Sequence, residues 1–526
     1  MECRLGPRPR YFVHPKNLPA ASIVVTFSYL TIRPCVPNST GEVNMPAKKS
    51  TGAAAEVAEK ARLDKLLHEQ REAFHNTGAP SYEERMEHLD TLLSVTRERT
   101  DDLAAAMSAD FGNRSMHETL TSEVFTTVSL VKYVQKHLKE WMQPEKRRVS
   151  PVFWPGRAHV RYQPLGVVGI LSPWNYPYYL AAAPLLYALA AGNRAMVKPS
   201  EITPKTADVI RDMMARTFPE DRVAVVTGGA GIGAAFSSLP FDHLFFTGST
   251  SVGKSVMKAA AENLTPVTLE LGGKSPAIVA PGYSPRKAAE RITAGKFFNA
   301  GQTCVAPDYV LAQKDDVDEL VVELRNHIER FYPTLADNPD YTAIVSDRHF
   351  ARLLGVVDDA RAKGATLVEI KPAGEELLPG HRKMAPTLLL DITDEMVAAT
   401  DEIFGPILPI VAYDGIDDAI RYVNRRPRPL ALYCFDEDES RIDRVLEHTI
   451  SGGVCVNDAV LQVAQDDLPF GGVGQSGMGA YHGPEGFYAF SHARGVFSQG
   501  RINTQFLLRP PYNATQEKAL RYLINK

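Results

Sequence analysis

From Val167 to Val197 the chain reads VVGILSPWNYPYYLAAAPLLYALAAGNRAMV. An apolar run of strand length leads into a proline-bounded loop, an Ala- and Leu-rich segment of helical length, and a second apolar run. The alternation continues beyond it. Residues 203–217 have a helical pattern, 223–226 and 243–246 are strand-like, and 252–263 are helical again. Continuous apolar strands separated by helices predict a parallel sheet covered on both faces. A second alternating stretch spans 276 to about 459. Strands are expected there at 305–312 and 407–412, and helices at 317–332 and 350–363.

Upstream, 53–140 reads as helical, with Gly78 and Pro80 separating the first helix from the second. Ser81 with Glu84, and Ser115 with Glu118, fit the S-x-x-E capping box, in which side chains and backbone satisfy each other's free donors at a helix start. Residues 147–166, rich in Val, Pro and aromatics, suit a β-hairpin. The glycine-rich segment 470–486 reads as a long loop and 493–498 as a late strand, and no internal repeat is seen.

At 526 residues the chain exceeds what one core holds, so two or three domains are expected. A net charge of -4 gives no electrostatic case for nucleic acid or an anionic membrane surface. Cys3, Cys35, Cys304, Cys434 and Cys455 are odd in number and widely spaced, without a C-x-x-C pair. That spacing suits neither a disulfide framework nor a structural zinc site, so no metal is expected and a reducing, cytoplasmic location is. Residues 1–44 differ from the rest: Arg4, Arg8 and Arg10 precede an apolar run at 20–32 that is too short to span a bilayer. The expectation is that Met45 opens the working protein and that 1–44 are disordered or a start-site artefact.

Two segments carry chemistry. F-N-A-G-Q-T-C-V-A-P at 298–307 presents Cys304 in small and polar sequence after the helix-like 288–298. V-T-L-E-L-G-G-K-S-P at 267–276 places Glu270 in an apolar strand that ends in two glycines. A nucleophile and a carboxylate in desolvating surroundings are the raw material of covalent catalysis with a general base. Taken alone, each has a plainer reading: free Cys is among the most buried residue types, and Glu270 can simply hold backbone N–H groups. Gly248 to Ser255 also fits the P-loop template G-x-x-x-x-G-K-[ST], with 267–270 or 388–391 as the acidic strand that holds magnesium. A nucleoside triphosphatase is therefore a rival reading. The same segment reads equally as a strand-to-helix turn that admits a pyrophosphate.

Placed in order, these segments resemble the aldehyde dehydrogenase superfamily over residues 55–505. The matching stretches are P-W-N-Y-P at 173–177, V-K-P-S-E at 197–201, F-T-G-S at 246–249, L-E-L-G-G-K at 269–274, G-Q-T-C at 301–304 and E-I-F-G-P at 402–406. A-P-D-Y-V at 306–310 and S-G-M-G-A-Y-H-G at 476–483 look like the class 3 branch, and 298–310 is most similar to its coniferyl aldehyde dehydrogenases. The resemblance implies an α/β fold with a Rossmann-like cofactor domain (45–146 and 163–270) and an α/β catalytic domain (271–465). A small bridging sheet (147–162 and 493–505), a glycine-rich loop region (466–492) and a C-terminal tail (506–526) complete the expected organisation.

The implied activity is NAD(P)-dependent oxidation of an aldehyde, coniferyl-type or aliphatic, to the acid. The implied roles are Cys304 as nucleophile, Asn175 as oxyanion donor and Glu270 as general base. Trp174, Lys198, Glu201, Gly248, Ser249, Glu402 and Phe404 are implied at the cofactor. NAD is expected before NADP, because Glu201 accepts from a ribose hydroxyl and repels a 2′ phosphate. The class also implies a homodimer, and the short polar 509–526 implies no membrane anchor. A catalytically silent relative of the same fold is the further alternative, against which the intact Asn175, Glu270 and Cys304 speak.

Overall fold

The computed structural model describes residues 50–377, 380–501 and 509–525. The expectations for Met45 and for residues 1–44 lie outside the described residues. Three sheets organise the chain. In the first, six strands lie in the order Gly477–Met478, Val267–Glu270, His243–Thr247, Val167–Leu171, Arg194–Lys198 and Val223–Val225. All but Gly477–Met478 pair in parallel. Chain order reverses between Val167–Leu171 and His243–Thr247, so a crevice opens past the C-terminal ends of those two strands, where ligands bind in such sheets. The 172–175 loop and the Gly248–Ser249 turn leave the sheet there.

The helix Tyr179–Ala191 is apolar on every side because it is covered on every side, and all thirteen of its residues are buried. It ends at Gly192 in the left-handed region, where a Cβ would lie 2.7 Å from the Arg85 guanidinium. Seven strands form the second sheet, in the order Thr366–Glu369, Thr387–Leu390, Ile407–Tyr413, Tyr309–Gln313, Pro276–Val279, Ala431–Phe435 and Gly453–Val456. A three-stranded antiparallel sheet joins Glu145–Arg147, Arg157–Pro164 and Ser491–Ser498. The hairpin and late strand expected from the sequence are its parts.

Four readings change. The strand expected at 305–312 begins at Tyr309. Before it, Ala306 N–H closes a turn on the Thr303 carbonyl, and Asp308 N–H donates to Ser275. The stretch 470–486 is not all loop. Gly477–Met478 adds an antiparallel edge to Val267–Glu270, and a helix runs over Gly483–Ala489. The capping box at Ser81 forms with both halves. At Ser115 half of it forms, because Glu118 turns away to accept from Asn299 N–H (3.0 Å) and the Thr342 hydroxyl (2.8 Å). Finally, the C-terminal segment is not featureless: a helix covers Ala514–Ile524, capped by Asn513 and Gln516. Among the described residues, no helix is long and apolar enough to cross a membrane.

Candidate active site

The Phe298–Gly301 turn that presents Cys304 is wound against its preference. Asn299, Ala300 and Gly301 all have positive φ (52°, 51° and 75°), and such a state costs a non-glycine residue about 1–2 kcal/mol. Glycine is required at 301, because a Cβ there would lie 2.3 Å from the Gly405 carbonyl oxygen. Side chains hold the other two residues. Asn299 Nδ2 donates to the Asn175 carbonyl (3.1 Å) and to the Gln302 carbonyl (3.2 Å). Buried Gln302 donates to the carbonyls of Asn299 and Ala343 and accepts from Val345 N–H, each at 3.0 Å. Cys304 follows as a free, half-buried thiol within the turn that Thr303 and Ala306 close. Burial and the carboxyl groups of Glu402 and Glu270 push it up to about 12, against the backbone N–H groups of Cys304 and Val305.

Asn175 is buried, and its Nδ2 donates to the Gln302 carbonyl at 3.2 Å, one residue from the Cys304 peptide. Its own carbonyl accepts from Arg114 Nη1 at 2.7 Å. Arg114 lies between the rings of Phe111 and Tyr176 (4.9 and 5.1 Å) and faces Glu123 at 3.0 Å, with both ionic side chains fully buried. Glu123 in turn accepts from the N–H groups of Tyr178 (3.1 Å) and Tyr179 (2.7 Å). It sits in a π-helical turn, Leu120–Phe125, a local widening that recurs at functional sites. Neither the pair nor the π turn was visible in the sequence, because Arg114 and Glu123 lie some sixty residues before the loop they hold (|i−j| = 61 for Arg114 to Asn175).

Removing one buried partner strands the other charge, at a cost of about 3–5 kcal/mol. Arg114→Met should therefore lower the melting temperature and kcat together. The double variant Arg114→Met/Glu123→Gln should regain stability while kcat stays low, as thermal denaturation and steady-state rates will show.

Glu270 ends its strand between Thr247 and Gly477. It is 2% exposed and both of its carboxyl oxygens lack a hydrogen-bond partner. Burial alone drives its pKa well above the ordinary value. Glu402 receives Gly273 N–H at 3.1 Å, and burial, followed by Asp308, raises it to about 8. Gly272 makes room for it: a Cβ there would lie 2.1 Å from Glu402 Oε2. Phe404 has a positive φ of 52° and meets Trp174 edge-on at 5.4 Å, while His349 lies 4.9 Å from the same indole.

Two cavities share Pro173, Trp174, Thr247, Gly248, Ser249 and His349. One, of about 530 Å³, reaches Lys198 and Glu201, and the other, of about 630 Å³, reaches Asn175, Glu270, Glu402, Phe404 and Cys304. Lys198 is buried and donates to Glu201 at 2.7 Å. Burial works against Glu201 ionising, yet the Lys198 hydrogen bond leaves its pKa below the ordinary value. Ser249 caps the helix Thr250–Ala261 between the two cavities. An elongated groove with a carboxylate at one end, a helix N-terminus midway and a thiol at the other fits a dinucleotide. His349 and Arg352, on Asp347–Ala362, also line it. No sequence motif pointed to them.

The same geometry removes the triphosphatase reading. The helix starts at Thr250, so Gly253, Lys254 and Ser255 are already helical, and Gly253 packs against Leu271. The Ser255 hydroxyl bonds back to the Ser251 carbonyl at 3.3 Å. The GK[ST] residues are thus not part of a phosphate-cradling loop, and of the two candidate acidic strands Thr387–Leu390 belongs to the other sheet.

Cys304 also lines a third cavity, of about 320 Å³, together with Tyr176, Phe298, Val460, Phe470 and other mostly apolar side chains.

A model of the aldehyde dehydrogenase family matches residues 36–496. A probable coniferyl aldehyde dehydrogenase of Pseudomonas aeruginosa is 52% identical over 457 residues, 87% of this chain and 95% of that protein. The coniferyl aldehyde dehydrogenase of a Pseudomonas species is 47% identical over 467 residues, 88% and 96% of the two chains. Among solved structures, the substrate-bound state of Staphylococcus aureus AldH superimposes with a TM-score of 0.83 at 37% identity, covering 88% of this chain and 99% of that one.

Proposed function

The chain belongs to the aldehyde dehydrogenase family, and from that premise we propose that it oxidises aromatic aldehydes of the coniferyl type to their acids with NAD. One observation carries the reading. Cys304 lines both the polar groove that ends at Lys198 and Glu201 and the separate apolar cavity. An aldehyde in the apolar cavity meets the thiol from one side while the dinucleotide groove meets it from the other. The names of the two similar Pseudomonas proteins support the aromatic substrate.

The Cys304 thiol releases its proton to solvent and its sulfur attacks the aldehyde carbon, forming a thiohemiacetal. The Asn175 amide and the Cys304 backbone N–H donate to the oxyanion, a contribution of roughly 2.7–4 kcal/mol per donor. NAD, when bound, supplies the hydride acceptor and a positive charge near the thiol. Once hydride has left, Cys304 carries a thioester. Glu270, as its carboxylate, takes a proton from water, the hydroxide adds to the thioester carbon, and the carbon–sulfur bond breaks to release the acid while the leaving thiolate takes that proton back. Trp174 and Phe404 wall the groove, Gly248 and Ser249 receive the pyrophosphate, and Glu402 receives the nicotinamide ribose. The three-stranded sheet serves as the contact of a homodimer, and the enzyme works in the cytoplasm.

The test is NADH formation at 340 nm by the full chain with coniferaldehyde, benzaldehyde and hexanal. Coniferaldehyde is expected to give the highest kcat/KM, and a preference for hexanal would overturn the aromatic assignment. Glu201 makes a further result predictable. Its charge faces the adenosine ribose, so kcat/KM for NAD should exceed that for NADP, and Glu201→Gln should narrow the ratio about tenfold. Titration of both dinucleotides by fluorescence quenching measures this independently of turnover.

A further inference from the structure

Among the described residues, the apolar cavity beside Cys304 is lined by no lysine, arginine or histidine, and its polar side chains differ in depth. Thr303 is buried next to the thiol, its hydroxyl 2.6 Å from that of Tyr176. Ser122, Thr126 and Asp458 are half-buried, as befits the mouth of the cavity rather than its floor, and exposed Leu461 lines it too.

The protons of the two helix hydroxyls are committed. Ser122 Oγ donates to the Glu118 carbonyl at 2.6 Å, and Thr126 Oγ1 donates to the Ser122 carbonyl at 2.7 Å. A hydroxyl has one proton and two lone pairs, so toward the cavity these oxygens can only accept. Asp458 accepts from Ala459 N–H at 2.8 Å through Oδ1 and adds another acceptor. Ser122 lies in the π-helical turn Leu120–Phe125, while Thr126 opens the regular helix that follows.

Resting on the aldehyde oxidation at Cys304 proposed above, we infer that Ser122 and Thr126 are specificity-determining residues that accept a hydrogen bond from a ring hydroxyl of the substrate. The substrate class is the phenolic aldehyde, with its carbonyl at the thiol, its ring between apolar walls and its hydroxyl donating at the mouth. An aryl ether in that place brings no proton to donate. A carboxylate or phosphate would face lone pairs and the Asp458 charge. Acceptance by half-buried neutral oxygens is a moderate effect, smaller than that of a fully enclosed site.

The test compares 4-hydroxy-3-methoxycinnamaldehyde with 3,4-dimethoxycinnamaldehyde, which differ by one methyl group on that oxygen. Wild type is expected to favour the phenol on the order of tenfold in kcat/KM. In Ser122→Ala/Thr126→Val the ratio should fall to about one through loss on the phenol, with the ether unchanged. No preference in wild type overturns the inference, as does a preference that survives in the variant. So does a ratio that collapses by a gain on the ether, since that reports bulk rather than hydrogen bonding. If the double variant does not fold, Thr126→Val, which keeps the side-chain volume, carries the same comparison. Should phenol and ether turn over equally well, this inference falls alone; should neither aromatic aldehyde turn over, the proposed function falls with it.

Discussion

Cys304→Ser should lower kcat by on the order of 10⁴-fold or more, with the fold and dinucleotide affinity unchanged. The substitution exchanges one atom in a half-buried position inside a turn whose conformation is set by Asn299, Ala300 and Gly301. The side-chain hydrogen bonds of Asn299 and Gln302 run to backbone groups and not to the sulfur, so thermal denaturation should be indistinguishable from wild type. What is lost is the nucleophile, since a serine hydroxyl ionises far less readily than a thiol.

The thiol itself should show a matching pH dependence. With its ionisation pushed up to about 12, the thiolate is scarce at pH 7 in the protein without cofactor. Alkylation of Cys304 by iodoacetamide should then quicken about tenfold per pH unit through the range below that value. Added NAD should accelerate it at fixed pH, because positive charge beside the sulfur favours its anion. Rapid, pH-independent labelling of Cys304 without cofactor would contradict this account.

The second large effect is expected of Glu270→Gln, which should reduce steady-state turnover about 10²–10⁴-fold while leaving the first turnover intact. Rapid mixing should show a burst of NADH stoichiometric with active sites, followed by a slow phase, because the thioester forms and then waits for its water. Glutamine reproduces the neutral carboxyl in size and charge, so it should not disturb the strand end. Stability should shift in a definite direction. The unfolded chain releases this proton near pH 4.5, whereas the folded chain retains it to a much higher pH. Wild-type stability is therefore eroded as pH rises through that interval. The variant lacks the penalty and should melt no lower than wild type at pH 8. A variant that loses both burst and stability would mark Glu270 as a structural carboxylate.

The sequence disclosed the parts of this site that chain neighbours determine. Apolar runs at Val167–Leu171 and His243–Thr247 could be read as buried parallel strands because short continuous apolar segments alternating with helices suit a sheet covered on both faces. Cys304 and Glu270 stood out because each sits in a short segment whose glycines have a local steric purpose. What stayed hidden depends on long-range contact. Glu118 read as half of a capping box, and only the fold shows its carboxyl reaching 181 residues ahead to Asn299. The P-loop template misled for a related reason: the pattern fits, but it does not reveal that the helix begins two residues after Gly248. The π turn at Leu120–Phe125 escaped because its residues carry ordinary helical periodicity.

Glu270 faces the dinucleotide groove but does not line the apolar cavity. With Glu270 as the proposed base, the water it activates would reach the acyl carbon through the groove and not through the apolar cavity. The groove would then be both the seat of the dinucleotide and the entrance for hydrolysis, so the width of that one corridor would set how soon the acid can leave.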